Sequence, residues 1–179
     1  MGLTKHIILV GYMGSGKSTI GRMLAEQLGS NFIDSDSAIE VQTGKTIREI
    51  FAVKGEDHFR DLERTFCESL ADLKPSVIAT GGGLPCFHNN MDRLKAHGVV
   101  VYVNASLQTL ARRLKEERAI RPLVAELDDN AIFPFVEEQL TWRKEYYKQA
   151  HIFLPNELHK PDKVVGNLLK ELQTRFEVG

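Results

Sequence analysis

Residues 11–19 read GYMGSGKST, a fit to the pattern GxxxxGKS. Glycines at positions 11, 14 and 16 let a backbone turn tightly and approach anionic oxygens with no Cβ in the way. The N–H groups of Gly14, Ser15 and Gly16, with those of a helix opening at Lys17, Ser18 and Thr19, would then converge on phosphates. Lys17 is suited to the β- and γ-phosphates, and the Ser18 hydroxyl to a Mg²⁺ ion. The chemistry implied is the binding of a nucleoside triphosphate, which leaves the reaction open.

An acceptor for a phosphoryl group needs other residues. Asp34 and Asp36 form a DxD at the end of the apolar run NFI. On an extended chain, positions i and i+2 face the same side. Beside the first strand of a parallel sheet, both carboxylates would point into the crevice beyond the strand ends. Transfer to an alcohol needs one carboxylate for the metal shell and one to orient or deprotonate the hydroxyl; either aspartate could equally cap a helix. Gly81, Gly82 and Gly83 follow the run VIAT, and a bare backbone there is one that a small substrate can touch, or a plain turn. Arg60, Arg121 and Arg143 each read as a solvated charge in isolation, yet an anionic acceptor requires such guanidinium forks.

The elements that must position these residues are legible as alternation. Near-continuous apolar runs at His6–Val10, 32–33, Val77–Ala79, 99–103 and 152–154 suit strands buried on both faces of a parallel sheet. Helical spacing joins Ile20, Met23, Leu24 and Leu28, with Gly29 as a stop; it recurs over 107–114, and again from Pro161-Asp162 through Leu172. Strands alternating with helices predict a doubly wound α/β sheet. Residues 115–129 break the pattern, being charge-rich with Pro122 after Arg121; a polar segment of that length in a small domain reads as an active-site lid.

The chain has 179 residues, the length of one domain spanning 1–179. Its 23 Lys and Arg nearly balance 24 Asp and Glu, so neither nucleic acid nor anionic lipid is called for as a partner. Cys67 and Cys86 form no CxxC, which argues against a disulfide framework or a structural zinc. No apolar run approaches the roughly 20 residues of a membrane helix, and the first run leads into a glycine loop rather than a cleavage site. A soluble, cytoplasmic protein is expected.

Taken together, strand–GYMGSGKST–helix, FIDSD (32–36), TGxxIxxIF (43–51), GExxFRxLE (55–63), TGGG (80–83), RPL (121–123) and the late R-x-x-x-Y (143–147) resemble shikimate kinase. The resemblance covers nearly the whole chain, with the motifs in order. It implies the three-layer fold of the nucleoside monophosphate kinases: a five-stranded parallel sheet of order 2-3-1-4-5 flanked by helices, with a mobile lid. It implies ATP and shikimate as substrates of a monomer, Mg²⁺ as cofactor, and shikimate 3-phosphate as product, a step toward chorismate and the aromatic amino acids. Carried onto this sequence, Asp34 joins Ser18 at the magnesium, while Asp36 holds the acceptor hydroxyls as base or orienter. Arg60 and Arg143 bind the shikimate carboxylate, Gly81, Gly82 and Gly83 its hydroxyl side, and Phe51 and Phe59 pack near its ring. Arg121 reaches the transferring phosphoryl group from the lid, and Arg113 and Pro161 flank the adenine. Lys144-Glu145-Tyr146 replaces the family's usual Ala-Pro-Leu after the late arginine, His159 stands where arginine is common, and the lid is about a residue longer.

A gluconate or nucleoside monophosphate kinase is the nearest alternative, and DxD with GGG and few arginines favours a small polyol carboxylate over a base. A GTP switch would need NKxD, which does not occur. A nucleotide-binding protein without turnover is disfavoured because every catalytic position of the family pattern is filled.

Overall fold

The apolar runs become the five strands of one parallel sheet. The computed structural model describes residues 3–117, 127–157 and 160–176. Strands β1 (His6–Val10), β2 (Phe32–Asp34), β3 (Val77–Ala79), β4 (Gly98–Asn104) and β5 (Ile152–Pro155) lie in the order β2-β3-β1-β4-β5, as expected. Leu9 pairs with Ala79 on one side and Val101 on the other; Asp34 pairs with Ala79, and Asn104 with Pro155. All five strands therefore end on one edge, where ligands bind in open α/β sheets.

Seven α-helices accompany the sheet among the described residues: α1 (Lys17–Gln27), α2 (Ser35–Thr43), α3 (Ile47–Ser69), α4 (Asn90–His97), α5 (Leu107–Glu116), α6 (Asp129–Tyr147) and α7 (Pro161–Phe176). Successive strand residues point to opposite faces, and the core divides accordingly. Ile7, Leu9, Val77, Val99 and Val101 pack with the apolar stripes of α1 and α7. Ile8, Val10, Ile78, Val100 and Tyr102 pack with residues of α3, α4, α5 and α6. Every residue of β1 is buried, the reason its run is apolar without alternation. None of these helices is long and apolar enough to cross a membrane.

One break matters for the site. Gly55 sits inside α3 at φ 80°, ψ 176°, a non-helical conformation that a Cβ would strain. Phe51 and Phe59 are eight residues apart, about 12 Å along a straight helix. The break folds the two halves so that their rings meet with centroids 4.8 Å apart.

Candidate active site

The phosphate loop is built as its motif requires. Gly11, Gly14 and Gly16 all adopt positive φ. A Cβ on Gly11 would come to 2.5 Å from the Val103 carbonyl oxygen, so the loop can lie against the end of β4 only as glycine. Lys17 is buried, and its Nζ donates to the Gly11 and Tyr12 carbonyls at 2.8 and 2.9 Å, which curls the ammonium back over the loop. Gly14, Gly16, Lys17, Ser18 and Thr19 line a cleft of about 330 Å³. Ser15 is buried under the loop. Arg113 and Pro161 line the same cleft.

Asp34 and Asp36 also line it, though not for the reason expected. The extended chain stops at Asp34, and Asp36 already lies in the first turn of α2. A cap, rather than strand alternation, brings the carboxylates together. Asp34 Oδ1 accepts from the backbone N–H groups of Asp36 and Ser37 at 3.1 and 3.4 Å, while its Oδ2 accepts from the Ser18 hydroxyl at 2.9 Å. One aspartate thus caps a helix and accepts from the Ser18 hydroxyl beside the phosphate loop.

Asp36 is the more perturbed group. Burial, then the nearby charge of Asp34, pushes its carboxyl up to about 6, against the pull of Lys17 and Arg60. Its Oδ1 is buried with no hydrogen-bond partner among the described residues. A buried acceptor left open in a cleft is what a substrate hydroxyl would satisfy.

The turn after β3 joins this carboxylate to the arginines. Thr80 ties the turn to β1, with its N–H and hydroxyl both donating to the Leu9 carbonyl. Ser35 Oγ accepts from the Gly81 N–H at 2.8 Å, and the Tyr147 hydroxyl donates to the Gly82 carbonyl at 2.5 Å. A Cβ on Gly81 would stand 2.5 Å from Asp36 Oδ1; on Gly82, 3.6 Å from Arg143 Nη1; on Gly83, 2.5 Å from Arg60 Nη1. A side chain at Gly81 or Gly83 would therefore displace a charged group, while at Gly82 a Cβ would only touch Arg143 at ordinary contact distance.

Arg60 is held rigidly. Its Nε and Nη2 donate to Glu56 Oε1 at 3.0 and 2.7 Å, and its Nη1 donates to Glu63 Oε2 at 2.7 Å. The Phe87 ring covers its guanidinium, with Cζ 4.1 Å from the centroid. Burial pushes the Glu63 carboxyl up to about 7 despite the Arg60 charge. Arg143 donates through Nη2 to Gln139 Oε1 at 2.7 Å and lies beside the Trp142 and Tyr12 rings. Both arginines line a second cavity of about 510 Å³, together with Phe87 and Trp142. Helix α6 runs unbroken through Lys144-Glu145-Tyr146 to Tyr147, so that departure from the family pattern leaves Arg143 on a regular helix.

Phosphate loop, carboxylate pair, glycine turn and two arginines thus meet at one edge. Arg121 and His159 lie outside the described residues. Sequence reasoning did not single out Ser35, Glu56, Glu63 or Asn156 as site residues. Glu56 and Glu63 were within reach, since their spacing of −4 and +3 from Arg60 puts all three on one helix face. Ser35 and Asn156 bond across 46 and 141 residues and leave no local signal.

Comparison with known proteins agrees with this geometry. The family model described as Shikimate kinase matches residues 13–173. A shikimate kinase of Phocaeicola vulgatus is 38% identical over 171 residues, covering 93% of this chain and 98% of the relative. The crystal structure of shikimate kinase from Bacteroides thetaiotaomicron superposes with a TM-score of 0.89 at 35% identity, covering 94% of this chain and 98% of that one. Shikimate kinase from Acinetobacter baumannii, solved in complex with shikimate, gives 0.85 at 34% identity over 96% of this chain and 94% of that one. With an identity of that order along nearly its full length and the matching fold, the chain belongs to the shikimate kinase family.

Proposed function

We propose that this chain, an ATP-dependent kinase by family, transfers the γ-phosphoryl group of ATP to the 3-hydroxyl of shikimate. The observation that carries the reading is the glycine turn, which sets Asp36, Arg143 and Arg60 around three consecutive residues beside the phosphate loop. Arg60 and Arg143 hold the acceptor carboxylate by charge-assisted forks. That leaves the ring hydroxyls at Asp36, whose open Oδ1 accepts the proton of the attacking hydroxyl. The oxygen then bonds to the γ-phosphorus as the bond to the ADP oxygen breaks. Lys17 meets the negative charge spread over the phosphates, and the family resemblance gives Arg121 the charge on the transferring group. Phe51 and Phe59 form the apolar wall for the ring, and Arg113 and Pro161 the two sides of the adenine pocket.

Ser18 Oγ and Asp34 Oδ2 fit a magnesium ion, being two hard oxygens 2.9 Å apart on the wall of the cleft. Mg²⁺ takes few protein ligands and completes its shell from phosphates and water, and when bound it neutralises phosphate charge. The same reading makes residues 1–179 one catalytic domain, acting as a monomer in the cytoplasm.

A coupled ADP-release assay across shikimate, gluconate, AMP and no acceptor tests the assignment. Shikimate is expected to raise the rate far above the acceptor-free level. Equal stimulation by gluconate or AMP would reject it.

A further inference from the structure

The turn after β5 reaches back to the phosphate loop. Asn156 is buried, and its backbone N–H donates to the Asn104 carbonyl at 2.7 Å, which fixes it at the end of the sheet. Its side-chain Nδ2 donates to the Ser15 carbonyl at 2.7 Å. Arg113 Nη1 donates to the same carbonyl at 3.4 Å and to that of Gly14 at 3.1 Å, while Arg113 Nη2 donates to the Asn156 carbonyl at 2.7 Å. The neighbouring Glu157 carboxylate accepts from the Ser106 and Thr109 hydroxyls, at 3.0 and 2.7 Å, at the start of α5.

A trans peptide is a rigid plane with its C=O and N–H on opposite sides. Tying the Ser15 carbonyl to Asn156 therefore turns the Gly16 N–H away from Asn156, to join the N–H groups that open α1. The fit is close on both sides. Gly16 has φ +95°, and a Cβ there would come to 2.5 Å from Asn156 Nδ2.

We infer that Asn156 is a positioning residue for nucleotide binding: its side-chain amide sets the Ser15–Gly16 peptide so that the N–H faces the β-phosphate. The inference rests on the phosphate-loop reading above. It adds a residue 141 positions away that determines how well the loop discriminates phosphates, separately from the base and the acceptor.

Calorimetric titration of ADP, AMP and shikimate into wild type, N156A and N156D tests it, with thermal midpoints recorded for each. The preference of wild type for ADP over AMP is expected to fall roughly tenfold in N156A, the loss of about one hydrogen bond. In N156D, which keeps the shape but turns a carboxylate on the Ser15 carbonyl, it should fall further. Shikimate affinity is expected to stay within about threefold in both variants. An unchanged ADP-to-AMP preference in either folded variant, or equal loss of all three ligands, would overturn the inference and leave Asn156 a support of the fold. A wild type with no preference for ADP over AMP would reject the phosphate-loop reading and this inference with it.

Discussion

Replacing Asp36 by Asn is expected to lower kcat by about 10²–10⁴-fold, the usual worth of a positioned proton acceptor, while leaving ATP affinity nearly unchanged. Stability should move the other way. The carboxyl titrates near 6 in the folded chain against an ordinary 3.8, so across that window the folded form holds a proton that the unfolded chain has released. Stability therefore falls as pH rises through the window, and above it the ionised Asp36 costs on the order of 2–3 kcal/mol. Asn carries no such cost, and D36N should unfold at a higher temperature than wild type at pH 7.5. The acid limb of kcat/KM for shikimate should lie near pH 6. Glu63, pushed up to about 7, feels the charge of Asp36, so the limb belongs to the two carboxyls together. Activity, thermal melts and a pH profile check the set; a D36N variant that is destabilised and still active would remove Asp36 from the chemistry.

Truncating either arginine is expected to weaken shikimate binding by roughly 30-fold or more, while ATP binding changes little. A partly shielded charge pair with the acceptor carboxylate is worth about 2–4 kcal/mol on truncation. R60A would leave Glu63 buried without its partner, but a carboxyl already near 7 takes up a proton rather than stay charged. Because both guanidinium groups act on one carboxylate, R60A/R143A should lose less than the product of the single losses. Shikimate methyl ester separates recognition from folding. It should bind wild type poorly and lose far less on either substitution. Equal losses for acid and ester would make the arginines supports of the pocket.

What the sequence made legible follows from where the determinants lie. The strands were visible because burial on both faces forces continuous apolar runs, as in β1 and β4. Helices α1, α5 and α7 showed stripes because each buries one face against the sheet. Helices α3 and α6 gave no such stripe: α3 changes direction at Gly55, and α6 carries Pro134 together with exposed Phe133 and Trp142. The phosphate loop was readable because its chemistry is local. Asp34 and Asp36 do line one cleft, yet strand periodicity was the wrong cause, because the strand ends at Asp34 and α2 begins at Ser35, where the strand reading ran through Asp36. The glycine turn could be seen as bare backbone, but not as the place where Asp36, Arg60 and Arg143 meet, since those contacts come from three separate helices.

If a carboxylate grip at one end of the acceptor and Asp36 at the other fix which hydroxyl reacts, the product must be a single regioisomer. Phosphorus-31 NMR of wild type with ATP, Mg²⁺ and shikimate reads this directly. One phosphomonoester resonance is predicted, coupled to the ring proton at C3 and growing in step with ADP. Inorganic phosphate in place of the ester, or a mixture of esters at the 3-, 4- and 5-positions, would contradict it.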